Sequence, residues 1–180
     1  MQLPEVILVD ELDQQQGVME KLEAHQKGLL HRAFSVFIIN DEGKMLLQQR
    51  AKDKYHSGGL WTNACCSHPQ PGENTLVAAQ RRLSEEMGFT CFLQKLEAFK
   101  YYAEFENGLI EHEYDHIYLG KFNGKVLPNK DEVSDYQWLG LEEIQVSLEK
   151  NKDSYTYWFH LAYPIVKKWL DFEKKYFSQT

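Results

Sequence analysis

The chain has 180 residues, enough for one domain with a substantial core. A net charge of −7, with 43% hydrophobic and 26% charged residues, argues against broad nucleic-acid binding and a polybasic membrane anchor, and leaves room for an anionic small substrate where cations gather. The opening MQLPEVILVDEL lacks the basic flank of a secretion signal, and no apolar run nears the roughly 18 residues of a membrane span. The three cysteines, Cys65, Cys66 and Cys91, are odd in number and two are adjacent, which fits a reducing compartment; a cytoplasmic location is expected.

In chain order, residues 5–9 (EVILV) read as a strand, and residues 12–31 are polar with no clear regular structure. The apolar run 34–40 (FSVFIIN), the turn Asp41-Glu42-Gly43 and the return 44–50 (KMLLQQR) predict a hairpin. A loop over 51–60 leads to a strand ending at Cys65, Cys66, Ser67 and His68. The helix that follows is the clearest: Leu76, Ala79, Leu83 and Met87 share a face, Asn74 or Thr75 caps the start, and Gly88 ends it. One or two strands are expected over 89–106 and another over 109–122, after the turn at Asn107-Gly108. Helices are expected over 141–150 and 158–176, with Pro164 near the first turns of the latter. This order predicts an α/β or α+β sandwich, a mixed sheet with helices packed on it.

Several groups bear chemistry. On a strand, Glu111, Glu113 and Asp115 share a face while His112, Tyr114 and His116 take the other. Three like charges in a row fit a solvated face, or a metal site, or a carboxyl kept protonated for acid–base work. His25, His31 and His68 match no zinc-finger spacing; gathered beside the acids, they would suit Mn²⁺ or Zn²⁺ and tolerate Mg²⁺. Cys66 is either a small buried apolar residue or a reactive thiol, and neighbouring Cys65 points the opposite way. Arg81, Arg82, Glu85 and Glu86 fit surface i,i+4 pairs, or else phosphate and Mg²⁺ binding. Lys21, Arg50 and Lys54 are further cations for a diphosphate, and Tyr101 and Trp158 are either core or site aromatics.

Glu73 and the run from Arg81 to Phe89 resemble the Nudix box, G-x5-E-x7-R-E-U-x-E-E-x-G-U, with Ser67 in place of the first glycine and Arg82 in place of a glutamate. TNACCSHP, RAFSVFIIN, EHE and YWFH together resemble the type I isopentenyl-diphosphate isomerases, over most of the chain. The resemblance implies a single Nudix-like domain over 1–180, with a mixed sheet between helices and an extension over about 1–32 that supplies metal ligands. It implies a divalent metal (Mn²⁺, Zn²⁺ or Mg²⁺) on His25, His31, His68, Glu111 and Glu113. Cys66 and Glu113 become the acid–base pair, Tyr101 assists, and Trp158 faces a carbocation. Lys21, Arg50, Lys54 and Arg82 hold the diphosphate, with Mg²⁺ on Glu86. The expected reaction interconverts isopentenyl and dimethylallyl diphosphates, by a monomer or homodimer. A Nudix pyrophosphohydrolase, resting on Glu73, Arg81, Glu85, Glu86 and Gly88, is the alternative, and a non-catalytic diphosphate-binding module is a third reading.

Overall fold

A computed structural model describes residues 3–54 and 56–177. Among them are nine strands and four α-helices: β1 (Glu5–Val9), β2 (Gln15–Glu20), α1 (Lys21–Lys27), β3 (His31–Ile39), β4 (Lys44–Arg50), β5 (Trp61–Asn63), β6 (Cys65–Ser67), α2 (Thr75–Met87), β7 (Leu93–Glu104), β8 (Ile110–Lys121), β9 (Val133–Gly140), α3 (Leu141–Lys150) and α4 (Tyr157–Phe177).

The sheet is built around β3, which is buried at every position but Arg32. One edge of β3 runs parallel to β8 along its whole length, from His31↔Glu113 to Ile39↔Lys121. The other edge meets β1 at Leu8↔His31, β6 at Phe34↔Ser67 to Val36↔Cys65, and β4 at Ile39↔Met45. A strand buried on both faces reads as a continuous apolar run, which accounts for FSVFIIN. Alternation divides it: Phe34, Val36 and Ile38 join Leu83, Met87 and Tyr118 in the core under α2. Phe37 and Ile39 join Ile117, Leu141, Ile144, Phe159 and Tyr163 in the core under α3 and α4. Tyr163 also donates its hydroxyl to the Leu141 carbonyl at 2.6 Å, tying the two helices.

Helix α2 is capped as its sequence predicts. Asn74 Oδ1 accepts from the Leu76 N–H at 2.9 Å, and Gly88, at φ 76°, closes the end with its N–H on Ser84 O.

Four expectations are corrected. Residues 12–31 are largely ordered: β2 pairs antiparallel with β1, and α1 follows directly, with Glu20 accepting from the Leu22 and Glu23 N–H groups. The 34–50 hairpin pairs only next to its turn, at Ile39↔Met45, because β5 takes that edge of β4 from Leu47 onward. The strand before His68 is two short strands that part at Ala64, β5 joining β4 and β6 joining β3. β9, absent from the sequence reading, pairs with β4 from Lys44↔Gly140. Pro164 lies inside α4 near its first turns, as expected.

Candidate active site

Strands β6 and β8 flank β3 on opposite edges, so groups on their α4-facing sides look onto one space. The result is a chamber of about 40 Å³ whose walls include Cys66, His68, Tyr101, Glu111, Glu113 and Trp158. Tyr101, Ala103 and Trp158 form a small apolar cluster on it, with Cys66 and Phe105 packed alongside.

The two cysteines separate as their alternation requires. Cys65 is fully buried in the core under α2, and burial pushes its thiol well above its ordinary range. Cys66 faces the chamber. Its thiol donates to Asn63 Oδ1 at 2.9 Å and accepts from Trp158 Nε1–H at 2.8 Å, with Ser35 Oγ at 3.6 Å. Burial likewise raises the Cys66 thiol, so in this structure the sulfur carries its proton.

Four donors converge beside it. Ligand atoms of His25, His31, His68 and Glu113 lie within 4.8 Å of one another, and those of His25, His56 and Glu111 form a second such set. His25 arrives on α1, with Nδ1 fixed on Lys21 O at 2.7 Å, and His31 on β3, with Nδ1 fixed on Leu29 O at 2.8 Å. Those backbone bonds aim the other ring nitrogen inward, the arrangement that orients metal-binding imidazoles. His31 Nε2 and His68 Nδ1 are buried without a hydrogen-bond partner. Neutral imidazoles and carboxylates at this spacing fit a divalent ion.

The acids are not a solvated face. Glu111, Glu113 and Asp115 are 3%, 6% and 1% exposed; the first two are enclosed in the chamber with Tyr101 and Trp158. Tyr101 OH stands 3.0 Å from Glu111 Oε2 and 2.8 Å from Glu113 Oε2. Burial, with Glu113 beside it, pushes Glu111 well above the carboxylate range. Burial also opposes ionisation of Glu113, but His31 and His68 outweigh it and hold that carboxyl well below the range. Burial lifts Asp115 to about 8, and it accepts from Ser35 Oγ at 2.7 Å. The remaining face of β8 turns away: His112 contacts Gly28 O at 3.0 Å, and His116 Nε2 lies 2.9 Å from Asp13.

An open basin of about 690 Å³ adjoins the chamber and shares Lys21, Ser67 and His68 with it. Lys54, Arg81 and Arg82 also line it. Burial lowers Lys21 to about 8. Arg50 lines the chamber, its guanidinium carbon 5.2 Å from the Trp158 ring centre, so that ring already faces a cation.

A NUDIX domain model matches residues 29–160. An isopentenyl-diphosphate Delta-isomerase of Pectobacterium atrosepticum is 52% identical, the match covering 91% of each chain. An isopentenyl-diphosphate Delta-isomerase 2 of Photorhabdus laumondii is 48% identical over 91% of this chain and 96% of its own. The chain belongs to the isopentenyl-diphosphate Delta-isomerases, within the NUDIX family. The fold is shared more widely: a Deinococcus radiodurans protein, DR0079, superposes with a TM-score of 0.67 at 18% identity, covering 81% of this chain and 89% of its own. A MutT NUDIX hydrolase of Burkholderia pseudomallei gives 0.58 at 20% identity, covering 76% and 98%.

In this isomerase-family chain the box arginines engage the box acids. Arg81 binds Glu73 at 2.8 Å and Glu85 at 3.2 Å. Arg82 binds Glu85, Glu86 and Glu132 at 2.6, 2.7 and 3.2 Å, and Lys54 also pairs with Glu132. Glu86 stands apart from the histidine–glutamate donors; its oxygens accept from Arg82 and, at 3.0 Å, from Gln48. Three residues at the chamber escaped the sequence reading. Asn63 sat in the TNACCSHP motif without a role, Ser35 lay within an apolar strand run, and His56 lay in a loop without periodicity.

Proposed function

We propose that the chain interconverts isopentenyl and dimethylallyl diphosphates by protonation and deprotonation through a tertiary carbocation. The observation that carries this is a thiol, Cys66, and a carboxylate, Glu113, delivered to one chamber from opposite edges of β3. The reaction adds a proton to the terminal alkene carbon and removes one two carbons away, which requires an acid and a base. Cys66 and Glu113 take these roles, exchanged in the reverse direction, with Tyr101 OH steadying Glu113. The cation between the two steps would be trapped by water, so a small chamber with an aromatic wall suits it. The Trp158 face contributes about 0.5–2 kcal/mol to such a charge.

His25, His31, His68, Glu111 and Glu113 would hold a divalent ion, Mn²⁺, Zn²⁺ or Mg²⁺, which supplies positive charge that orients both carboxylates. Lys21, Arg50, Lys54 and Arg82 take the diphosphate in the basin and at its junction with the chamber. Mg²⁺ accompanies the diphosphate on Glu86, whose oxygens keep further lone pairs. The N-terminal extension through residue 32 acts as part of one domain, bringing His25 and His31 to the site, and the cytoplasm is the proposed location. Ion pairing of Glu73 and Glu85 with arginines speaks against a hydrolytic metal cluster built on those acids.

Incubation of reduced, metal-loaded protein with isopentenyl diphosphate in D₂O tests this. Deuterated dimethylallyl diphosphate is expected. No conversion sinks the reading, and monophosphate release from nucleoside-diphosphate derivatives would favour the hydrolase instead.

A further inference from the structure

His56 belongs to the chamber yet is neither the proposed acid or base nor one of the five proposed ligands. It sits in the loop between β4 and β5, 8% exposed, and lines the chamber wall. Its Nε2 lies 3.2 Å from Glu111 Oε1, and its Nδ1 lies 3.3 Å from Ser57 Oγ. The Phe105 ring stacks on it at 5.1 Å and 19°, while Trp158 meets it edge-on at 6.2 Å and 85°. Arg50 Nη2 donates to its carbonyl at 3.4 Å.

The loop is shaped for this placement. Ser57 adopts φ 52°, a left-handed conformation that side-chain-bearing residues rarely take. At Gly58 a Cβ would stand 2.4 Å from Lys52 O, so the chain folds tightly back on itself there. Strain of this kind persists where surrounding structure fixes a side chain.

His56 also differs in kind from the clustered histidines. His31 Nε2 is buried with no hydrogen-bond partner, as a nitrogen meant for a metal would be, and His68 turns Nε2 to Glu113 Oε1 at 3.0 Å while its Nδ1 has no partner. His56 has a hydroxyl at one nitrogen and a carboxylate oxygen at the other. We infer that His56 is a positioning residue: its Nε2–H donates to Glu111 Oε1 and holds that carboxylate in place for the metal. This rests on the metal-dependent isomerase reading. Groups that orient a metal-binding side chain in this way are worth about 10–100-fold in metal affinity or activity.

The experiment compares His56→Ala and His56→Gln with the wild type, titrating Mn²⁺ or Zn²⁺ against a chromophoric chelator in the absence of substrate, alongside kcat and KM for isopentenyl diphosphate. His56→Ala should lose about 10–100-fold in metal affinity and fall in kcat, with KM little changed. His56→Gln, whose amide N–H reaches the same oxygen, should recover most of both. Wild-type affinity and kcat in His56→Ala would overturn the assignment. So would a His56→Gln as weak as His56→Ala, which would make the imidazole itself a ligand. If the wild type binds metal but does not isomerise, the isomerase reading fails while the affinity arm still judges His56.

Discussion

Asn63 Oδ1 accepts the Cys66 thiol proton across 2.9 Å, and the amide cannot turn away. Its Nδ2 is committed to Val36 O at 3.0 Å and Cys65 O at 2.8 Å. The same Oδ1 accepts from Thr62 Oγ1 at 2.9 Å, which in turn accepts from Thr156 Oγ1 at 2.9 Å. Asn63→Asp keeps the shape but sets a carboxylate oxygen against two carbonyls and a negative charge beside the thiol. It should lower kcat/KM by about 100-fold or more, since about 2–3 kcal/mol is a typical cost of such a mismatch. Thr156→Val, at the far end of the chain, should cost less than about tenfold by the same conversion. Steady-state kinetics on the two variants checks the ordering.

Cys65 and Cys66 are neighbours with opposite surroundings, one in the core under α2 and one at the chamber. Cys66→Ala should reduce turnover by about 10²–10⁴-fold, the scale of a lost acid–base group. Cys65→Ala should keep turnover near wild type and lose about 1 kcal/mol of stability from the small cavity. Full activity in Cys66→Ala would move the proton transfer to another residue.

Chelation should destabilise the protein measurably. A ligand at about 100 times its Kd stabilises by about 2.7 kcal/mol, and a chain of this length shifts about 2–4 °C in Tm per kcal/mol. Calorimetry with and without a chelator should therefore differ by about 5–10 °C. Coincident melts would mean that the imidazoles and acids hold no ion.

His116 gives a pH dependence outside the chamber. Burial lowers it to about 4, with Lys95 and Arg32 adding to the effect and Asp13 opposing it. Tyr114 and Tyr118 are the other titratable groups near it on β8. The unfolded chain takes up this proton near pH 6.5, whereas the native one waits until about pH 4. Its stability contribution is therefore full above 6.5 and drains away as pH falls towards 4. His116→Gln should flatten the fall in urea midpoint between pH 7 and 4.5 relative to wild type. Parallel curves would refute it.

The legible parts of the fold were those with local signals. Helix α2 has its apolar spacing, its Asn74 cap and its glycine stop. At Gly88 a Cβ would lie 2.3 Å from Leu127 O, so the residue is fixed by packing as well as by φ. α1 was illegible because seven residues carry too short a period; its start depends on the Glu20 cap and its end on Gly28 at φ 61°. The break at Ala64 and the strand β9 depend on which partner β4 accepts, a tertiary choice. At the site, residue types announced the imidazoles, acids and thiol. Their burial was not announced, since EHEYD reads equally well as a wet strand until distant elements such as α4 close over that face. His56 had no signal at all, because an irregular loop carries no period from which to infer a direction.

The parallel pairing of β3 with β8 sets His31 beside Glu113. Strands so joined need a long crossover, and here β4, β5, β6, α2 and β7 all lie between them in the chain. Such non-local pairing is slow to form. The proposed ligands thus meet late, when most of the fold is already in place, and a metal would have nothing to template earlier. Its influence should fall on the rate of unfolding: stripping the ion should hasten escape from the native state and leave the refolding rate almost untouched.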